Sequence, residues 1–273
     1  MARSETIFLA IGGGNLAGCQ EVLDEIFGFL AEKKDPRLVV MTVATNIANG
    51  TSAKYNSIFR KRGVSHVEVV NIWQREDAFS KAAMNKIERA HALFFTGGDQ
   101  KNVTGLMGGS PLDQLLRDKA DDGILIAGTS AGAAMMSGSM IIGGSSETAP
   151  RVGCVEMSPG MNFIDSTVID THFSQRGRHG RLLTAVAHHP QLLGLGLDEN
   201  TAIRVVGEEF RVLGDGCVTV IDARQMDYSD LVYKRPDEVI GMFGVHLHVL
   251  PRGHSYDIQN RKPCAPKAKG LPR

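Results

Sequence analysis

No apolar run in this chain of 273 residues reaches the roughly 18 consecutive positions that a membrane-crossing helix requires. Charge of one sign is equally lacking. Thirty Lys and Arg balance 30 Asp and Glu for a formal net charge of zero, which gives no broad surface for nucleic acid or an anionic membrane. Cysteine is scarce. Cys19, Cys154, Cys217 and Cys264 form no CxxC and no zinc-ligand spacing, so free thiols in a reducing compartment are expected. The opening stretch MARSETIFLAIGGG has neither the long apolar segment nor the small-residue cleavage site of a secretory leader. These absences together predict a soluble, cytoplasmic protein with no nucleic-acid and no membrane partner. No linker or internal repeat interrupts the sequence. The expected organisation is a single domain over residues 1–260 and a basic, proline-containing tail over 261–273, RKPCAPKAKGLPR, expected to be disordered.

What the chain does have is alternation. Short continuous apolar runs, TIFLAI, RLVVMTVAT, VEVVNIW, ALFF and ILIAGT, are separated by segments of helical period. LAGCQEVLDEIFGFLAEK is one such segment, with Leu16, Val22, Leu23, Ile26 and Leu30 on one face. That order predicts an α/β fold with a parallel sheet covered on both faces, and ligands beyond the carboxyl ends of its strands. The second half reads mostly as strands, with GD and DG turn signals. One helix, QRGRHGRLLTAVAHHP, interrupts them.

GTSAGAAMMS, residues 128–137, follows the buried run GILIA. An apolar strand, then G-x-S-x-G, then small residues is the pattern of a nucleophile elbow, a sharp strand-to-helix turn that exposes a serine. Ser130 is the candidate nucleophile, and the Ala131 N–H, opening the helix, is a candidate oxyanion donor. The bland alternative is a tight turn with a passive serine.

A nucleophilic serine needs a base and an acid to orient it. Of nine histidines, His172 stands out because it ends the strand-like STVIDTHF and enters an arginine-rich segment. His188 and His189 suit a helix C-terminus, and His246 and His248 alternate along a strand. The apolar run LGLGL ends in Asp198 and Glu199, of which either can face the site. Arg176, Arg178 and Arg181 follow His172 and offer guanidinium forks for a carboxylate-rich ligand. Asp170 or Gln100 could receive a guanidinium.

GGDQ, GTSAGA, DTHFSQRGR and LGLDENTA, in this order and spacing, resemble the cyanophycinases of the S51 group of serine peptidases. The resemblance runs from the GGGN turn to about residue 222. It implies a three-layer α/β sandwich with a mostly parallel central sheet, like the class I glutamine amidotransferases, and a homodimer. It implies exopeptidase action on cyanophycin, an arginine-bearing polyaspartate polymer, releasing β-aspartyl-arginine without a cofactor or metal. Position by position it makes Ser130 the nucleophile, His172 the base and Glu199, rather than Asp198, the orienting acid. Gly97, Gly98 and Ala131 would form the oxyanion hole. Gln100, Asp170, Thr171, Arg176, Arg178 and Arg181 would contact substrate. One position departs: the family reads D-Q-H-F where this chain has Thr171, which puts the substrate fit in question.

Other readings compete. An aspartyl dipeptidase of the same group would keep the elbow but lack the QRGR run. A non-catalytic binding protein on the same fold would show a broken triad. IGGGNLAG carries a G-x-G-x-x-A turn after a strand, as in dinucleotide sites, but the next strand ends without the acid that grips a ribose. A metallohydrolase would need a ligand spacing that the histidines do not supply.

Overall fold

The computed structural model describes residues 5–43, 48–146 and 149–266. The first five strands are β1 (Ile7–Ile11), β2 (Arg37–Thr42), β3 (His66–Asn71), β4 (Ala92–Phe95) and β5 (Leu125–Thr129). The helices α1 (Gln20–Ala31), α2 (Ala48–Lys61), α3 (Lys81–Glu88), α4 (Lys101–Met107) and α5 (Pro111–Ala120) connect them, and α6 (Ala131–Ala134) follows β5. These strands are mutually parallel, in the order β1-β5-β4-β2-β3.

The second half departs from a parallel pattern. A hairpin of β6 (Ser139–Gly143) and β7 (Glu156–Pro159) leads to β8 (Thr167–Thr171), helix α7 (His179–His188) and β9 (Leu193–Leu197). Then come β10 (Thr201–Val206), β11 (Glu209–Gly214) and β12 (Cys217–Asp222). The short pair β13 (Tyr228–Ser229) and β14 (Met242–Phe243) precedes β15 (His246–Pro251), β16 (Ser255–Asp257) and β17 (Lys262–Cys264). Strands β10, β11, β16 and β17 extend the central sheet antiparallel from β1, giving nine strands in all. Strands β15-β12-β9-β8 form a separate sheet of four. The central sheet is therefore mixed, parallel through its first five strands. The expectation of a disordered tail from 261 is corrected at its start, because Lys262–Cys264 pairs with β16 as an edge strand. Residues 267–273 lie outside the described residues.

Side-chain alternation explains the layers. Leu9 and Ile11 of β1 join Val22, Leu23, Ile26 and Leu30 of α1 and Phe59 of α2 on one face. Ala10 turns to the other face, with Ile87, Val103, Leu112 and Leu116 of α3, α4 and α5. The four-stranded sheet covers the same face through Leu193, Leu195 and Leu197 of β9. Each such buried leucine contributes about 1.5–3 kcal/mol of transfer free energy. The alternate positions of β9 are glycines because α7 and its lead-in press on that side. A Cβ on Gly196 would stand 2.5 Å from the Phe173 ring, and one on Gly194 would meet Val186 at 2.9 Å. Among the described residues no helix is long and apolar enough to cross a membrane.

Candidate active site

The carboxyl ends of β1, β5, β8 and β9 meet at one place, and each delivers one part of the site. At the end of β5 the chain turns sharply. Ser130 adopts φ 54°, ψ −114°, a conformation that costs a non-glycine residue about 1–3 kcal/mol. The turn is over-determined. Ser130 N–H donates to Ile11 O at 2.9 Å, and Ser130 O accepts from the N–H groups of Ala133 and Ala134 at 2.9 Å. The flanking glycines are required by contact rather than flexibility. A Cβ on Gly128 would meet Gly132 O at 2.2 Å, and one on Gly132 would meet Phe95 O at 2.4 Å.

The end of β8 delivers His172, held at φ 51° by its N–H donating to Gly12 O at 2.8 Å. The Ser130 hydroxyl lies 2.9 Å from His172 Nε2, and His172 Nδ1 lies 2.6 Å from Glu199 Oε1. Glu199 can only accept there when ionised, which puts the ring proton on Nδ1 and leaves Nε2 to accept from Ser130. Burial lowers the His172 pKa below its usual value. The hydrogen bond to Glu199 opposes this, and the Arg176 and Arg178 charges add to it, so the net direction is down. The ring is therefore neutral at pH 7.

Asp198 and Glu199, equivalent in the sequence, are separated by the turn after β9. Asp198 points away from His172 and accepts from Ser174 N–H at 3.1 Å and Cys217 N–H at 3.2 Å. Burial would raise its pKa, but these hydrogen bonds outweigh it and hold the carboxyl below the usual range. The neighbouring Cys217 thiol is pushed up to about 11 by burial and by Asp198. Glu199 is tied in place by its own N–H, which donates to Gln175 Oε1 at 3.0 Å.

The glycine turn after β1 has a definite task. At φ +104°, Gly13 lies against the imidazole, and a Cβ there would stand 2.3 Å from His172 Cε1. Gly13 O accepts from Asn200 N–H at 3.0 Å, and Asn15 N–H donates to Asn200 Oδ1 at 2.8 Å. The space a pyrophosphate would need above this turn is filled by the histidine, so the dinucleotide reading fails on geometry.

Beside Ser130 lies a cleft of about 260 Å³, lined by Gly98, Gln100, Thr171, Arg176, Arg178 and Arg181 among others. Gly97 approaches the nucleophile closely: a Cβ on it would be 3.3 Å from Ser130 Cβ. Asp170 is a correction. It was expected to receive a substrate guanidinium, but it is buried beneath the cleft and already paired. Arg181 grips both of its oxygens, and Arg178 Nη1 donates to Oδ1 at 3.3 Å. Gln100 is different: its amide nitrogen donates to Ile141 O, and the oxygen is the atom that could receive a guanidinium. Three guanidiniums against one buried carboxylate leave the cleft cationic. Burial and the adjacent arginines bring Arg178 down to about 10, against the pull of Asp170.

The other histidines are placed elsewhere. His66 pairs with Asp35 at 2.7 Å, His91 Nδ1 accepts from Arg37 N–H at 3.1 Å, and the His248 ring lies tilted 5.8 Å from that of Tyr256. Among the described residues, no three His, Cys, Asp or Glu side chains converge on a metal position. Two participants went unassigned in the sequence. Gln175 stood inside the SQRGR run, and Asn200 stood beside the acid pair, where its φ of 55° gives the chain its turn. Asn in a sharp turn was the available signal for the second.

Comparison with known proteins places the chain in a family. Residues 8–213 match the model of peptidase family S51. The chain belongs to peptidase family S51. Its four quoted motifs all fall within the matched region, and membership makes it a serine-type peptidase. Among curated proteins it is 33% identical over 260 residues to a cyanophycinase of Geminocystis herdmanii, covering 94% of this chain and 95% of that one. It is 33% identical over 261 residues to a cyanophycinase of Trichormus variabilis, covering 94% and 87%. Among solved structures, a peptidase from an acI-B1 actinobacterium superposes with a TM-score of 0.63 at 18% identity, over 92% of this chain and 98% of that one. A putative peptidase E protein of Listeria monocytogenes aligns with a TM-score of 0.51 at 14% identity, over 78% and 99%. These two share the chain's fold, an α/β sandwich as the glutamine amidotransferase-like expectation had it, with a central sheet that is mixed rather than mostly parallel.

Proposed function

We propose that the chain is a serine exopeptidase that hydrolyses cyanophycin to β-aspartyl-arginine dipeptides. The observation that carries this reading is the Ser130–His172–Glu199 relay opening onto a cleft walled by three arginines. In this mechanism His172 Nε2 takes the Ser130 proton as Oγ attacks the scissile carbonyl. Glu199 holds the Nδ1–H tautomer and stabilises the imidazolium. The N–H groups of Ala131 and of the Gly97–Gly98 turn face the developing oxyanion. His172 then returns the proton to the leaving amine, and water, activated by the same ring, releases the acyl group.

Arg176 and Arg178 bind substrate carboxylates. Arg181 and Asp170 act beneath them, because the buried pair fixes the direction of the Arg178 fork. Thr171, shorter than the glutamine usual at this position, leaves room at the cleft wall. It is the feature that favours the second reading, an aspartyl dipeptidase of the same family. The test compares cyanophycin, plain polyaspartate and Asp-X dipeptides at equal concentration, with products identified by mass. β-Aspartyl-arginine from cyanophycin supports the proposal. Faster cleavage of Asp-X moves the assignment to the dipeptidase.

A homodimer is part of the same proposal. Leu247 and Val249 stand exposed on the edge strand β15, near-neighbour in sequence to the exposed Phe243. Light scattering at twice the chain mass supports it, and a monomer at working concentration overturns it.

A further inference from the structure

Strands β1, β8 and β9 hold the glycine turn, His172 and Glu199 at their carboxyl ends. Their amino ends border a different cavity, of about 490 Å³, roughly 13 Å of strand away. Its floor is apolar: Phe8 stacks on Phe163 at 5.9 Å between ring centres, and Val205 and Ile258 complete it. Two arginines line the cavity: Arg224, which is exposed, and Arg261, whose guanidinium is buried in the wall. The Arg261 side chain is only 7% exposed, and its Nη2 donates to Gln191 O at 2.7 Å. Its Nη1 has no hydrogen-bond partner among the described residues, and the nearest carboxylate, Asp222, stands 3.9 Å away. Asp222 faces Arg261 as a long ion pair without a hydrogen bond, and accepts from Arg224 N–H at 2.9 Å.

A buried donor left unpaired costs about 1–3 kcal/mol, more when charged, so the site is built for an acceptor that arrives from outside. A carboxylate fits a guanidinium edge better than a neutral group does. The rim adds a second requirement. Asp165, Glu208 and Arg224, all exposed, stand at the mouth, and the two acids against one base favour a positive group there. Acid outside, guanidinium inside and an apolar floor between describe a ligand with a carboxylate, a methylene stem and a cationic end.

We propose that this cavity, remote from the catalytic serine, is a second ligand site for a basic amino acid. The carboxylate sits on Arg261 Nη1, the stem crosses Phe8 and Phe163, and the cation faces Asp165 and Glu208. The assignment stands on this cavity alone and does not depend on the substrate of Ser130.

Isothermal titration tests it, with L-arginine as probe and agmatine, which lacks the carboxylate, as comparison. The expected result is saturable binding of L-arginine, unchanged by Arg176→Ala in the catalytic cleft and weakened at least about tenfold by Arg261→Gln. Gln191→Glu, at an exposed rim position, places a carboxylate beside Arg261 and should weaken binding similarly if Arg261→Gln fails to fold. Agmatine should not saturate, and Arg261→Gln should leave peptidase turnover at the wild-type value. No saturable binding would mean that only an ordered water meets Arg261, and overturns the proposal. Binding lost with Arg176→Ala, or equal binding of agmatine, overturns it as well.

Discussion

Gly13→Ala probes the site through a residue that contributes no side chain to it. The added Cβ would lie 2.3 Å from His172 Cε1 and 2.6 Å from Nε2. The imidazole must retreat by roughly 1 Å to reach ordinary van der Waals separation. Nε2 then leaves its 2.9 Å contact with the Ser130 hydroxyl for a distance at which the hydrogen bond is lost. A misplacement of about 1 Å costs on the order of 10²-fold in rate, or ~2.7 kcal/mol of barrier. The turn itself, at φ +104°, adds about 1–3 kcal/mol of backbone strain against folding. The assay is kcat and KM beside a thermal melt, with Gly28→Ala as the companion variant. Gly28 sits in α1 with nothing within 4 Å of a built Cβ, so alanine there should add up to about 1 kcal/mol of stability and leave kcat unchanged. A Gly13→Ala enzyme with wild-type kcat would refute the reasoning that the glycine turn seats the base.

Five further outcomes follow from the same account. Glu199→Gln should cut kcat by up to about 10⁴-fold with little change in KM, since it removes the acceptor that fixes the His172 tautomer. Asp198→Asn should cost stability, about 1–2 kcal/mol by denaturant melt, and leave kcat within a few-fold, because Asp198 binds Ser174 and Cys217 rather than His172. The rate should fall in acid as His172 becomes protonated. Since its pKa is lowered, the midpoint of that limb in a kcat/KM profile should lie below the usual histidine value of about 6.5. Asp170→Ala should destabilise the chain by about 3–5 kcal/mol in a melt, leaving Arg181 and Arg178 buried without their counter-ion. EDTA should leave turnover unchanged.

The elements were legible where the hydrophobic period was strong. The five parallel strands and α1 follow directly from continuous apolar runs and a 3.6-residue repeat. α4 was not legible, because KNVTGLM carries a threonine and a glycine in place of a clear apolar stripe. The second sheet was also hidden, since strand period alone does not say which strands pair. At the site, Ser130 was legible because an elbow needs glycines at fixed positions, and those glycines prove to be sites of close contact. The division of labour between Asp198 and Glu199 was open on pattern alone. It depends on the turn made by Asn200 at φ 55°. Asp170 was misjudged because a lone acid near arginines looks available. Only packing shows that Arg181 and Arg178 already hold it. Arg261 was read as tail, and no local pattern marks a guanidinium that is buried by strands far away in sequence.

The central claim is that Ser130 is the nucleophile, activated by His172. A fluorophosphonate reports on it directly without any assumption about substrate. Ser130 Oγ attacks phosphorus, fluoride leaves, and His172 takes the hydroxyl proton. Peptide mapping by mass spectrometry should find one phosphonyl adduct per chain, on the peptide containing residues 128–137 and localised to Ser130. A chain that stays unmodified while it retains full peptidase activity, or that carries the adduct on another residue, would contradict the account.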